Sequence, residues 1–285
     1  MAKIIDGREV AAFVKARAAK EVEKMREKNI PVSLAVILVG NDPASRVYVT
    51  NKRKDCSELG IESIEYALPE ETSMEELLDL IHKLNDDKNV NGILCQLPLP
   101  RHLDENKVLE AISPLKDVDA FHPENVGKIM TGKYEFLPCT PAGIMEMFSY
   151  YNIPVAGKEC VVIGRSNIVG KPMAMLMLHS NATVTICHSR TTDLAAVCSK
   201  ADILISAVGK ADFVTADMVK KDAIVIDVGM NRNKEGKLCG DVDYENVSKI
   251  ASMITPVPGG VGPMTRAMLM CNTVTAAKKQ NGIDL

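Results

Sequence analysis

Short apolar runs alternate with longer amphipathic stretches along nearly the whole chain, and that alternation leaves few folds open. PVSLAVILVG (31–40), IESIEYAL (61–68) and VNGILCQL (90–97) read as strands, and residues 7–28, 43–60 and 73–87 read as helices between them. The run at 31–40 is apolar on both of its faces, as in a strand covered by helices on either side. Gly60 is placed to stop the second helix. Ser73, with Glu76 three residues on, opens the third as a capping box. Strands alternating with helices imply a parallel sheet. A Pro- and Gly-spaced stretch at about 113–143 then interrupts the pattern, which restarts with strands at KECVVIG (158–164), ATVTICH (182–188), ADILISAVG (201–209) and DAIVIDVGM (222–230). The helices of this half are VGKPMAMLMLH (169–179) and TDLAAVCS (192–199). A chain of 285 residues is long for a single core, so the interruption is read as a boundary between two α/β domains. The last helix, about 263–280, has no strand after it and is expected to leave the second sheet and pack on the first domain.

Composition narrows the function classes. Net charge is −3 and charged residues make up 25%, without the basic footprint of a nucleic-acid binder. No apolar run approaches the roughly 20 residues that span a bilayer. The start, MAKIIDGREV, lacks the charged-then-apolar layout of a signal peptide. The eight cysteines are scattered, with no CxxC pair, and most sit inside apolar runs, as expected of buried free thiols in a reducing cytoplasm. The five histidines show no ligand spacing, so no metal site is expected.

VVIGRSNIVGKP (161–172) is a strand, a turn with two glycines and a helix start. Glycine lets backbone approach a phosphate, and a helix N-terminus offers N–H groups and a positive dipole end. The turn is not GxGxxG, because Ser166 stands where the second glycine would be; a tight βα turn with no ligand is the competing reading. The following strand ends in His188, Ser189 and Arg190, with no carboxylate before Asp193 to take the ribose hydroxyls of NAD. Arginine and serine suit a 2′-phosphate instead, and Arg165 in the turn adds a second cation. That favours NADP, unless Arg190 is only a solvated loop residue. A second glycine cluster, TPVPGGVGPMT (255–265), precedes the last helix and allows a ligand close to its backbone, or is a plain turn.

In SRVYVTNKRK (45–54), Ser45, Tyr48 and Lys52 fall on one face of a helix at about 100° per residue, the face that Val49, Cys56 and Leu59 share. An apolar stripe normally points to the core. Either Ser45 caps the helix and Lys52 snorkels, or the face lines a site. Tyr48 and Lys52 also have the YxxxK spacing of short-chain dehydrogenases, but there the motif follows the nucleotide turn, and here it comes over a hundred residues before it. Gln96, in QLPLP, lies at a strand end, where α/β proteins bind ligands. Asp117 and Asp119, in KDVDAFHP, are each placed to pair with a ligand's donor edge or to cap a loop.

Together PASRVYVTNKRK, GILCQLPLP, KDVDAFHPENVGK, PCTPAGIM, VVIGRSNIVGKPMA, TVTICHSRT, DVGMN, GDVDY and ITPVPGGVGPMT resemble the bifunctional methylenetetrahydrofolate dehydrogenase/cyclohydrolase family over about residues 35–270, in the family's order. Two departures stand out. The family usually has Gly where this chain has Ala120, and DVGIN where this chain has Met230. The resemblance implies two α/β domains flanking a cleft, the second a Rossmann-like NADP-binding domain. Its boundaries are 1–139 plus 267–285 for the folate-binding catalytic domain and 140–266 for the NADP-binding domain. It implies oxidation of 5,10-methylenetetrahydrofolate by NADP to the methenyl form and hydrolysis of that product to 10-formyltetrahydrofolate, in one-carbon metabolism and purine biosynthesis. Carried over by motif, Lys52 is the catalytic residue, Tyr48 stacks on the folate and orients the lysine, Gln96 hydrogen-bonds at the centre and Asp119 holds the pterin. Ser45, Pro258, Gly259, Gly260 and Gly262 complete the substrate site. Gly164, Arg165, Ser166, Ile168, Ser189, Arg190 and Gly209 line the cofactor site. A cytoplasmic homodimer acting on tetrahydrofolate derivatives, without nucleic acid or membrane, is the expectation. Burial of Lys52 on an apolar face is expected to bring its proton affinity toward neutral pH.

Overall fold

The computed structural model describes residues 1–283, apart from the side chain of Ala44. In chain order the elements are β1 (Lys3–Ile4), α1 (Gly7–Glu27), β2 (Ser33–Val39), α2 (Pro43–Leu59), β3 (Glu62–Leu68), α3 (Met74–Asp86), β4 (Gly92–Cys95), α4 (Glu105–Ala111), α5 (Pro123–Thr131) and α6 (Cys139–Tyr150). They continue with β5 (Glu159–Ile163), α7 (Gly170–His179), β6 (Thr183–Cys187), α8 (Leu194–Cys198), β7 (Ile203–Ser206), β8 (Ile224–Asp227), β9 (Asn231–Arg232), β10 (Leu238–Cys239), α9 (Tyr244–Val247), β11 (Met253–Ile254) and α10 (Val261–Gln280). The chain divides into two compact units, Phe13–Cys139 with Arg266–Leu285, and Met1–Ala12 with Thr140–Thr265. No helix among the described residues is long and apolar enough to cross a membrane.

The first unit is built on a three-stranded parallel sheet in the order β3-β2-β4. Every residue of central β2 is buried, as its unbroken apolar run requires. One face packs Ala35, Ile37 and Val39 against Leu77, Ile81 and Leu84 of α3. The starts and stops of the helices follow local chemistry. Asp42 caps α2, its side chain accepting from the Ser45 N–H, and Gly60 ends it in the left-handed region. Ser73 and Glu76 form the capping box of α3. The stretch at 113–143, read from sequence only as an interruption, contains α5 and the start of α6. Its Pro and Gly punctuate a helix rather than a loop, with Pro123 at the first position of α5 behind a His122 cap and Gly132 at the left-handed stop. From Arg266 onward helix α10 packs in this unit. Asn272 donates from Nδ2 to the Val118 and Leu137 carbonyls (2.7 and 2.9 Å), and Gln280 donates to the Asn91 carbonyl (2.7 Å).

The second unit holds a six-stranded parallel sheet in the order β1-β11-β8-β7-β5-β6. Its core is Val161, Ile163, Leu204, Val225 and Ile254 with the helices around them. The alternation pattern reveals four of these strands and misses β1 and β11, which are two residues each and too short to carry a period. Strand β1 pairs in parallel with β11, which draws Met1–Ala12 into this unit, whereas the sequence reading ran the first domain from residue 1. The end of the range 267–285, residues 284 and 285, lies outside the described residues.

Candidate active site and cofactor site

The candidate reaction face is in the first unit. Strand β4 delivers Gln96 to the carboxyl edge of its sheet, where the Gln96 N–H still donates to the Ile37 carbonyl of β2 (2.9 Å). From α2 the Lys52 ammonium donates to Gln96 Oε1 (3.0 Å), and Gln96 Nε2 donates to the Leu97 carbonyl (2.7 Å). The Gln96 carbonyl is therefore fixed as the acceptor for the lysine. Lys52 is half-buried, and Ser45, one face up the helix, is 3% exposed. Ser45 is not the helix cap, since Asp42 has that position; its N–H is one that Asp42 satisfies (2.7 Å). Tyr48 is 36% exposed, and burial of part of its ring raises the phenol above its ordinary value against the pull of Arg266.

The two aspartates separate by their partners. Asp117 is buried and spends its carboxylate on the Phe121 and His122 N–H groups (3.2 and 2.8 Å) and the Asn125 side-chain amide (2.8 Å), so it is the loop cap. Asp119 makes none of those bonds, and the Cys139 thiol donates to it at 3.7 Å. Burial pushes the Asp119 carboxyl above its usual range, the Lys52 ammonium pulls it down, and Asp117 pushes it up again. Lysine and carboxylate therefore share one electrostatic environment. Cys139, although beside Asp119, has its thiol pushed well above its ordinary value by burial and by that carboxylate, which makes it a poor nucleophile. Ala120 sits at φ 58°, the left-handed region where glycine is usual, so this departure from the family pattern keeps a glycine-like backbone next to Asp119.

Sequence reasoning missed the support behind α2. Asp55, 2% exposed, is ion-paired with Lys15 of α1 and with Arg266 of α10 (3.1 Å). Asp55 is one turn beyond Lys52, and it ties α2 to both neighbouring helices. An acidic residue within an apolar stripe was the available signal.

The candidate cofactor residues lie in the second unit. Strands β5 and β6 are neighbours in register, Ile163 opposite Cys187, and the Gly164 N–H donates to the Cys187 carbonyl (2.9 Å). The Gly164–Arg165 turn and the His188–Arg190 segment thus leave the sheet side by side. Gly164 has φ 121°, and a Cβ there would lie 2.4 Å from the Ala207 carbonyl oxygen, so only glycine fits. Ser166 has a structural role that explains its place in the turn: its hydroxyl accepts from the Val169 and Gly170 N–H groups (3.1 and 3.3 Å) at the start of α7. Arg165, Ser166, Ile168, Ser189 and Arg190 are all exposed at this edge. The residues present fit a 2′-phosphorylated dinucleotide: exposed cations, a hydroxyl, no carboxylate, and a glycine turn that crowds out side chains. Gly209, at φ 68°, follows β7 on the other side of β5. Pro258, Gly259, Gly260 and Gly262 also belong to this unit, in the turn entering α10, where the Gly259 carbonyl accepts from the Gly7 N–H (2.9 Å). The structure gives that turn a packing role against the start of α1.

A parallel α/β sheet with a glycine turn at its carboxyl edge, joined in one chain to a unit carrying a lysine–glutamine pair, has the make-up of a nucleotide-dependent α/β enzyme. Residues 5–119 match the family model described as tetrahydrofolate dehydrogenase/cyclohydrolase, catalytic domain, and residues 138–281 match that family's NAD(P)-binding domain. The chain belongs to the tetrahydrofolate dehydrogenase/cyclohydrolase family. It is 62% identical over 279 residues to the bifunctional protein FolD of Acetivibrio thermocellus, covering 98% of each chain. The crystal structure of the FolD enzyme of Campylobacter jejuni superposes with a TM-score of 0.96 at 50% identity, over 98% of this chain and 99% of that one. The Trypanosoma brucei enzyme, solved with NADP and an inhibitor, gives a TM-score of 0.93 at 37% identity over 98% of both.

Proposed function

We propose that Lys52, aligned by Gln96 and facing Asp119, is the reaction centre at which this enzyme oxidises 5,10-methylenetetrahydrofolate with NADP and hydrolyses the methenyl product to 10-formyltetrahydrofolate. The observation that carries the reading is the 3.0 Å bond from Lys52 Nζ to Gln96 Oε1, which joins side chains from two elements at a sheet's carboxyl edge. Bound NADP supplies the hydride acceptor, and the chain's own residues supply placement and proton handling. Asp119 accepts from the amide and amino groups of the pterin, a charge-assisted contact that fixes the ring. Tyr48 offers its partly exposed ring as a stacking surface, and Ser45, buried on the same helix face, lies one turn before it. In hydrolysis, water adds to the cationic methenyl carbon and loses a proton, and the C–N bond that opens takes one up. Lys52 is the group placed to hold and move that proton. Arg165, Ser189 and Arg190 receive the 2′-phosphate, and Gly164, Ser166, Ile168 and Gly209 form the rest of the cofactor edge; a substrate role for Pro258, Gly259, Gly260 and Gly262 is carried over from the family pattern alone. Domain breaks near residues 139 and 266, a cytoplasmic location, assembly as a homodimer and a supply of one-carbon units for purine synthesis are carried over from the family pattern.

Asp119→Ala tests the centre. The variant is expected to raise the folate KM or abolish turnover while NADP affinity stays nearly unchanged. Folate titrating the variant as tightly as the wild type would reduce Asp119 to a loop residue and remove the pterin contact from the scheme.

A further inference from the structure

One carboxylate in the second unit gathers the backbone of a whole loop. Asp241 is 0% exposed. Its Oδ2 accepts from the Ser206 hydroxyl (3.1 Å), the Val208 N–H (2.8 Å) and the Gly209 N–H (3.3 Å). Its Oδ1 accepts from the Lys210 N–H and from the Asn231 side-chain amide, both at 2.9 Å. Three consecutive backbone N–H groups of one loop thus converge on one buried side chain. A buried charge is tolerated only with such satisfaction. Asp241 is itself held, because its N–H donates to Asp227 Oδ1 (2.9 Å) and the next N–H, of Val242, donates to Asp227 Oδ2 (3.0 Å). A Cβ on Gly229 would lie 2.2 Å from Asp241 Oδ1, so the carboxylate packs on bare backbone. Burying two adjacent carboxylates is a costly way to stabilise a core. What the arrangement fixes is the conformation of residues 206–210.

The position of that loop gives the arrangement its meaning. Strand β7 adjoins β5 on the side opposite β6. The Ala207 N–H donates to the Ile163 carbonyl (2.8 Å), so the loop starts alongside the Gly164 turn. In a doubly wound sheet the dinucleotide lies across the carboxyl edge where strand order reverses, with its pyrophosphate at the first turn and its adenosine ribose at the end of the second strand. Here those are β5 and β6. The loop after β7, on the far side of β5, is left to face the other half of the cofactor, the nicotinamide and its ribose.

We propose that Asp241 is a positioning residue for the cofactor, locking the 206–210 loop in the shape that receives the nicotinamide half. The proposal rests on the NADP site as read above. Asp241 touches neither cofactor nor substrate and acts through the backbone of Val208, Gly209 and Lys210.

Asp241→Asn tests it, because the amide keeps the size of the side chain but turns an NH₂ toward N–H groups that need an acceptor. The KM for NADP is expected to rise roughly tenfold or more, the scale of one lost charge-assisted hydrogen bond. The KM for NAD should rise by the same factor, since the 2′-phosphate is not involved. Affinity for 2′,5′-ADP, which carries only the adenosine half, should not change, and neither should hydrolysis of supplied methenyltetrahydrofolate without cofactor. Ser206→Ala, which removes one donor to Asp241 and is gentler on folding, should show the same pattern at a few-fold. Loss of 2′,5′-ADP affinity in step with NADP in both variants would make Asp241 a general support of the unit and overturn the proposal. Unchanged NADP affinity in both would overturn it as well. Arg190→Ala run in parallel should lose NADP and 2′,5′-ADP and spare NAD; equal effects on NADP and NAD there would refute the NADP-site reading itself, and the proposal with it.

Discussion

Replacing Asp227 with asparagine should change how stability depends on pH, with a sign that follows from the burial of its carboxylate. The carboxylate is 3% exposed and accepts from the N–H groups of Gly229, Asp241 and Val242. Burial nevertheless outweighs those bonds, the neighbouring Asp241 charge adds to it, and the carboxyl is raised from 3.8 to about 6. The folded state therefore holds this proton more tightly than the unfolded chain does. Between about pH 4 and about pH 6 the folded form carries the extra proton, so stability falls as pH rises through that window and levels off above it. A rise from 3.8 to about 6 corresponds to a loss on the order of 2–3 kcal/mol. Asp227→Asn cannot titrate and lacks that slope. The wild type's stability relative to the variant should thus be greatest near pH 4 and should shrink by on the order of 2–3 kcal/mol by about pH 7. Ion pairs elsewhere, such as Glu21 with Lys24 and Lys278, titrate in both proteins and cancel in the difference. The chain has no tryptophan, so urea unfolding at a series of pH values is best followed by far-ultraviolet circular dichroism. A stability difference that is flat with pH, or that grows in the wild type's favour toward alkaline pH, would refute the reasoning.

Two further outcomes follow from the cofactor edge. Arg190→Ala should weaken NADP more than NAD in steady-state kinetics, and a wild-type enzyme with equal or better efficiency on NAD would contradict the reading of Arg165, Ser189 and Arg190. Gly164→Ala forces a side chain into a φ of 121° and to within 2.4 Å of the Ala207 oxygen; the strain, about 1–3 kcal/mol for the backbone alone, should lower Tm and NADP affinity together, and an unchanged Tm would contradict the geometry.

The sheets were legible because their inner strands are apolar and buried and alternate with amphipathic helices. The apolar run of β2 and the restart at β5 needed no tertiary information, and the caps at Ser73 and Gly60 followed from side-chain and backbone chemistry alone. The two-residue strands β1 and β11 were not legible, because their pairing is decided by distant chain. Helix α5 was hidden by the same Pro and Gly that delimit it. At the site, the YxxxK face, Gln96 and the glycine turn were visible as residue types at spacings. The choice between Asp117 and Asp119 was not, because it depends on which carboxylate the neighbouring N–H groups consume. Asp241 was invisible for a related reason: it is an ordinary acidic residue until its partners, remote in sequence, converge on it, whereas Asp55 carried only the weak signal of a charge in an apolar stripe.

The central claim is that Lys52 manages the proton in hydrolysis, and it is tested most directly by measuring hydrolysis of supplied methenyltetrahydrofolate by Lys52→Met, with no oxidation step in the assay. The rate is expected to fall by roughly 10²–10⁴, the usual scale for a general acid–base group. Lys52→Arg should not restore it, because guanidinium stays protonated and its planar fork does not match the single ammonium that Gln96 accepts. NADP binding should survive both changes. Near-normal hydrolysis in the Met variant would contradict the account and leave Lys52 as a lysine that only snorkels past an apolar face.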